Sequence, residues 1–239
     1  MLISEIFDSI DGEGIRAGQL CTFIRVFGCN LRCSYCDSMY AVEEKYSDVA
    51  PREMSVNEIL SRVNRNYRRV TITGGEPLLF PETVKLVNRL CDMDFEVNIE
   101  TNGACDIEGF RDLIGYKDKL FFTVDFKLPS SGEMYSMRLS NFDNLRPTDV
   151  LKLVIGNEED CSVASAFASN IAEKYGDKAP HIFVGTVFGS YELKDVIDEF
   201  MKEPLLKDVR FQLQLHKFIW DPDARGGETD KHKKAYLPD

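Results

Sequence analysis

Three cysteines fall within eight residues, Cys29, Cys33 and Cys36 of "FGCNLRCSYCDS" (27–38). A thiolate is a nucleophile, a disulfide partner or a soft metal ligand. Gly28 and Asn30 give the segment a turn-like, polar character, so inert core thiols are a poor account of all three. Structural zinc wants four Cys or His ligands, often as two separated pairs. The other cysteines, Cys21, Cys91, Cys105 and Cys161, are isolated and supply no second pair. Iron–sulfur clusters are held by thiolates, usually four. A [4Fe–4S] cube gripped by three protein thiolates keeps one iron without a protein ligand and open to chemistry. The absent fourth cysteine is then the informative feature.

Further polar residues recur where apolar runs end. "GGEP" (74–77) follows "RVTIT" (69–73), "TNG" (101–103) follows "FEVNIE" (95–100), and "FKLPSSG" (126–132) follows "LFFTVD" (120–125). "HK" (216–217) follows "VRFQLQL" (209–215), and the cysteines themselves follow "CTFIRVFG" (21–28). With "DVLKLVI" (149–155) and "HIFVGTV" (181–187), these runs are rich in β-branched and aromatic residues and read as strands. Helical patterns lie between most of them. The segment 55–66 opens with Ser55 and Glu58 in capping-box spacing, and 81–92 starts on Pro81, acceptable in a first turn. Segments 158–175 and 191–203 carry apolar residues at three- and four-residue spacing. The alternation predicts an α/β fold with a parallel sheet and helical crossovers. We expect a partial, open βα barrel of about six parallel strands, with a flat doubly wound sheet as the alternative. In a barrel the strand C-termini converge on one face, so one site there would gather the polar signals. Stretches 37–54 and 129–148 read as loops.

The chain has 239 residues, 44% of them apolar, enough for a substantial core. The expected organisation is one domain over 1–220 and a polar, Gly/Pro-rich tail over 221–239. Seven cysteines in a chain this long do not resemble a short secreted disulfide framework. No charged-then-apolar leader and no bilayer-length apolar stretch is visible, so the expected setting is soluble and cytoplasmic, with no membrane partner. A net charge of −11 argues against a nucleic-acid partner, which needs clustered Lys and Arg.

The spacing C-x3-C-x2-C, with Tyr35 just before the third cysteine and "GGEP" after the next strand, resembles the radical S-adenosylmethionine enzymes. Within that superfamily the chain resembles the 7-carboxy-7-deazaguanine synthases of the queuosine pathway. The residues are those of "EIFDSIDGEGIRAGQLCTFIRVFGCNLRCSYCDS", "TGGEPLL", "ETNG", "DFKLPSSG" and "QLQLHKFIW". The resemblance implies a [4Fe–4S] cluster on Cys29, Cys33 and Cys36, S-adenosylmethionine on its free iron, and Mg2+ near Ser38. It implies a 5′-deoxyadenosyl radical that takes hydrogen from 6-carboxy-5,6,7,8-tetrahydropterin, whose ring contracts with loss of ammonia. The residues it places at S-adenosylmethionine are Gly74, Gly75, Glu76, Glu100, Thr101, Asn102, Asp125, Lys127 and Ser130. Those it places at the pterin are Asp11, Glu13, Arg25, Gly75, Gln214 and His216. An Arg25 guanidinium can grip a carboxylate through two parallel hydrogen bonds, and Glu13 can accept from the amino-pyrimidinone edge. Asp11 stands where relatives often have Gln, and some twenty residues follow Trp220 where relatives tend to stop. The implied partners are flavodoxin or ferredoxin as electron donor and a second copy of the chain in a homodimer. The alternative reading is an activating enzyme for glycyl-radical proteins, which carries the same cysteine spacing.

Overall fold

The computed structural model describes residues 1–226. Nine strands form one sheet: β1 (Leu2–Ile10), β2 (Leu20–Val26), β3 (Arg52–Glu53), β4 (Arg69–Gly74), β5 (Glu96–Thr101), β6 (Leu120–Phe126), β7 (Val150–Ile155), β8 (His181–Thr186) and β9 (Arg210–Phe211). Their order is β3-β1-β2-β4-β5-β6-β7-β8-β9. Every pairing from β2 to β9 is parallel, whereas β1 runs antiparallel to β2 and carries β3 on its other edge. The parallel run therefore holds seven strands, the last only two residues long. Side chains from β2, β4, β5, β6 and β7 line one cavity that Gln214, beyond β9, also joins, so the sheet curls without its edges pairing. This is the open α/β arrangement expected from the strand–helix alternation.

The strands earn their two faces by alternation. Val70 and Ile72, Val97 and Ile99, Phe122 and Val124, and Leu151 and Leu153 are buried in the main core. The helices are α1 (Val56–Arg62), α2 (Glu82–Asp92), α3 (Ile107–Asp112), α4 (Leu139–Asp143), α5 (Glu158–Tyr175), α6 (Leu193–Phe200) and α7 (His216–Ile219). They bring Ile59, Leu86, Leu90, Ile107, Ala164, Ala168 and Val196 to the same core. The intervening positions, Thr73, Glu100, Thr123, Asp125 and Lys152, face the cavity instead. A polar row inside and an apolar row outside is what a sheet wrapped around a ligand site requires.

The capping box of α1 forms as predicted, Ser55 and Glu58 each satisfying the other's backbone N–H. That helix stops at Arg62, short of the predicted 66. Val63 turns extended, and Asn64 is held by Thr22 Oγ1 and the Asp8 carboxylate. Helix α3, unanticipated, is capped by Asp106. Strand β1 was also not read from its sequence. The predicted strand 209–215 shrinks to Arg210–Phe211, because after Gln212 N donates to Val184 O the chain turns into α7. Gln214 and His216 thus sit on that turn and short helix, past the strand end.

The connection from β1 to β2 folds under the barrel. Arg16, only 5% exposed, donates to Val70 O and Thr71 Oγ1 of β4 and to Glu96 O of β5, and pairs with Asp11 at 2.9 Å. It closes the end where the parallel strands begin and leaves Gly12 and Glu13 on the cavity floor. Among the described residues no helix is long and apolar enough to cross a membrane. Of the expected tail 221–239, residues 227–239 lie outside the described residues. Asp221, Pro222, Asp223, Ala224 and Gly226 line the cavity, and the Arg225 guanidinium lies 4.4 Å from the Tyr40 ring.

Candidate active site

The cysteine loop leaves β2 at Val26 and runs over the strand C-termini. Its backbone is fastened on three sides. Gly28 N donates to Ala41 O, Ser34 N to Ser131 O, and Arg32 N to Glu133 Oε1 at 2.7 Å. Ser34 Oγ donates to Ser130 O at 2.6 Å, and Asn102 Nδ2 reaches Asn30 Oδ1 at 2.8 Å and Cys29 Sγ at 3.6 Å. Cys29, Cys33 and Cys36 are free, half-buried thiols, and all three line a cavity of about 620 Å³. Burial raises the pKa of each, that of Cys33 to about 11. Such thiols hold their protons until a metal displaces them. Three soft donors on a fixed loop at a cavity mouth, with no disulfide among them, fit a cluster carried on three corners.

Gly74 and Gly75 are needed for a close approach. A Cβ on Gly74 would lie 2.2 Å from Val26 O, and one on Gly75 would lie 1.9 Å from Gly28 O. Gly74 also has φ +129°, a conformation costly for other residues. The motif presses the end of β4 against the root of the cysteine loop, and Gly75 N and Glu76 N donate to Val26 O and Gly28 O.

Glu76 departs from its expected place. It is wholly buried and absent from the cavity wall, its carboxylate accepting from Leu78 N, Thr101 Oγ1 and Asn102 N at 3.0, 2.8 and 2.7 Å. It braces the loops after β4 and β5, and burial raises its pKa to about 7. Two further expected contacts are also engaged elsewhere. Asp11 is buried against Arg16 and Thr71 Oγ1, under the floor and not on it. The Ser130 hydroxyl and N–H both bind the buried Asp160 carboxylate, which makes Ser130 a brace for the loop that clips Ser34.

The remaining expected residues do meet in the cavity: Glu13, Arg25, Gly74, Gly75, Glu100, Thr101, Asn102, Asp125, Lys127, Gln214 and His216, together with Ser38. Arg25 gives its Nε to Glu5 Oε1 at 2.7 Å, and Tyr40 donates to the same oxygen. Among the described residues the outer edge of its guanidinium has no such partner, so it can take a carboxylate in parallel pairing. Lys127 pairs with Asp125 at 2.6 Å, and Thr73 donates to Glu100. Asp125 Oδ1 is buried without a hydrogen bond among the described residues, an acceptor waiting for a donor. Burial lowers the His216 pKa, so the ring is neutral at pH 7, and it stands so close to Gly12 that a Cβ there would meet Nδ1 at 2.4 Å.

Motif reasoning missed several residues that shape the site. Lys152 bonds Glu13 at 2.8 Å, Gln212 Nε2 reaches the other Glu13 oxygen at 3.1 Å, and Lys217 pairs with Asp37 at 3.1 Å across the mouth. A lysine inside the apolar run "DVLKLVI" is the signal that could have found the first. Ser38 Oγ donates to Asp37 Oδ1 at 3.1 Å. These two hard oxygen groups are fewer than a magnesium ion takes, so substrate oxygens and water would have to complete its shell.

The chain is similar to several known proteins. The family model described as the Radical SAM superfamily matches residues 23–131. The 7-carboxy-7-deazaguanine synthase of Clostridium acetobutylicum is 42% identical over 226 residues, covering 94% of this chain and 98% of the relative. That of Chlorobaculum tepidum is 37% identical, covering 94% and 96%. Among solved structures, QueE from Escherichia coli superposes with a TM-score of 0.65 at 21% identity, over 88% of this chain and 92% of that one. Streptococcus suis SuiB bound to S-adenosylmethionine shares the fold at a TM-score of 0.55 and 14% identity, over 78% of this chain and 48% of that one. On these matches, and with its three thiols at the mouth of a cavity that Arg25 and Glu13 line, the chain belongs to the 7-carboxy-7-deazaguanine synthase family of radical S-adenosylmethionine enzymes.

Proposed function

We infer that the protein converts 6-carboxy-5,6,7,8-tetrahydropterin to 7-carboxy-7-deazaguanine with loss of ammonia. The observation that carries this reading is one cavity holding three free thiols at its mouth, a guanidinium on its wall and a carboxylate on its floor. When bound, a [4Fe–4S] cluster with S-adenosylmethionine supplies a carbon-centred radical able to remove a hydrogen atom from an unactivated carbon. Cys29, Cys33 and Cys36 would hold that cluster.

The chain's own groups then orient the substrate. Arg25 receives the substrate carboxylate, since Glu5 occupies its Nε and steers the rest of the fork inward. Glu13 accepts from the amino-pyrimidinone edge, and neutral His216 and Gln214 bound the far side of the ring. Asp125, Glu100 and the backbone of Gly74 and Gly75 serve S-adenosylmethionine. Glu76 and Ser130 support that half from behind and do not touch it. Ser38 and Asp37 would offer oxygens to Mg2+. Holding two reactants in register removes much of the entropic part of the barrier. The lining segment 221–224 narrows access of water from the rim.

A second copy of the chain and a flavodoxin or ferredoxin donor complete the reading. Exposed Leu213, Phe218 and Ile219 beside the last strand support a paired state.

Anaerobically reconstituted protein, given dithionite, S-adenosylmethionine, Mg2+ and the pterin, should release ammonia and 7-carboxy-7-deazaguanine in equal amounts. Formation of 5′-deoxyadenosine without either product would reject the substrate. A preparation that stays colourless would reject the cluster.

A further inference from the structure

We propose that Lys152 is a positioning residue for the substrate: its ammonium fixes the Glu13 carboxylate, with Gln212, as the acceptor for the donor edge of the pterin. The proposal rests on the pterin reading above.

Lys152 projects from β7 into the cavity with its side chain 14% exposed. Its Nζ lies 2.8 Å from Glu13 Oε2 and 3.9 Å from Asp125 Oδ1, its register neighbour on β6. Gln212 Nε2 donates to Glu13 Oε1 at 3.1 Å, and Gln212 Oε1 is itself fixed by Gly14 N at 2.8 Å. An ionised carboxylate offers about four acceptor positions. The protein uses one on each oxygen, so each keeps another for a ligand. A ring N–H and an adjacent exocyclic amino group present two parallel donors, which is the complement of such a carboxylate.

Charge makes the lysine necessary. Glu13, Glu100 and Asp125 all line the same cavity. Like charges brought together out of water repel one another, and the Lys152 ammonium beside two of them offsets that repulsion. Burial alone would lower the pKa of the Lys152 ammonium. The carboxylates of Glu13, Asp125 and Glu100 outweigh it and hold the group charged. Lysine suits the task because its compact charge can face two carboxylates at once, Glu13 of the β1–β2 connection and Asp125 of β6, where a planar fork would commit to one.

The variants are Lys152→Met, Lys152→Gln, Glu13→Gln and the Lys152→Met/Glu13→Gln double. Pterin affinity is measured by equilibrium titration of reconstituted protein holding S-adenosylmethionine but no reductant. Affinity for S-adenosylmethionine, iron content and the unfolding midpoint are measured on the same samples, and KM and kcat with reductant added. Removing one partner of a buried charge pair predicts at least ~tenfold weaker pterin binding in Lys152→Met, with KM rising in step. Iron content should match wild type, S-adenosylmethionine affinity should change less than about threefold, and the double variant should be no worse than the weaker single. Pterin affinity lowered less than ~tenfold, equal losses for pterin and S-adenosylmethionine, or fully additive singles would each overturn the proposal. Should Lys152→Met fail to fold, Lys152→Gln, which keeps a donor without the charge, is judged by the same thresholds. Wild-type protein that neither binds nor converts the pterin overturns the functional reading and the proposal together. Wild-type turnover with an unaffected lysine variant overturns the proposal alone.

Discussion

Glu76 shows how a residue can sit in a ligand motif and work as a strut. Nothing in "GGEP" announces that Thr101 and Asn102 will turn their donors toward its carboxylate, because those contacts join two strand ends 25 and 26 residues apart. With three protein donors on its carboxylate and no face on the cavity, the side chain is placed to join those two strand ends. Its ionisation gives a measurable consequence. Burial raises its pKa from 4.5 to about 7 in the fold, so between those values the folded chain binds the extra proton. Its stabilising contribution is complete below about pH 4.5 and is lost as pH rises toward and through 7. Urea unfolding of the metal-free protein should show this decline, about 3 kcal/mol in size, and Glu76→Gln should flatten it. An unchanged pH slope in the variant would place the titration elsewhere. The cysteines, by contrast, were legible because all three fall on one short loop, where spacing can be read directly.

At the scale of elements, the cysteine loop depends on a helix that reaches it through Ser130. Asp160, in the first turn of α5 and fully buried, accepts from Ser130 N, Ser130 Oγ and Gly156 N. The Ser130 and Ser131 carbonyls then hold Ser34 between the second and third thiols. Asp160→Ala should cost about 3 kcal/mol by leaving buried donors unpaired. It should also speed loss of iron to a chelator, with S-adenosylmethionine contacts untouched. Iron release at the wild-type rate would mean that the loop holds itself. The parallel strands were legible from runs such as "RVTIT", where apolar Val70 and Ile72 alternate with polar Thr71 and Thr73. Strand β1 was not, since "LISEIFDSI" mixes charge into its apolar positions and is defined by pairing with β2. The predicted strand 209–215 failed for a related reason. Past Phe211 the cavity-lining turn at Gln214 competes with the ladder, and β-branched content alone does not report that competition.

The whole molecule is organised around a plug and a mouth. Arg16 pairs with Asp11 and ties β4 to β5 at the closed end, while the thiols, Lys217 and the segment 221–224 surround the open one. Arg16→Met leaves Asp11 buried without its cation and should cost roughly 3–5 kcal/mol, lowering Tm by about ten degrees. The S-adenosylmethionine affinity of the surviving fold should hold. Adding Asp11→Asn should recover part of the loss, and no recovery would show that the pair is not what Arg16 serves. This ion pair was hidden in the sequence because "DGEGIR" reads as a ligand loop throughout, and only the folded turn divides it, Glu13 upward and Arg16 downward. The Glu13–Gln212 bond joins residues 199 apart, and Leu215 N closes on Gly12 O beside it. A ribosome must therefore deliver the chain through Gln212 before the receptor for the pterin edge exists. A nascent chain halted between Asp160 and Gln212 already holds every group that fastens its cysteine loop, while its substrate seat is still unbuilt.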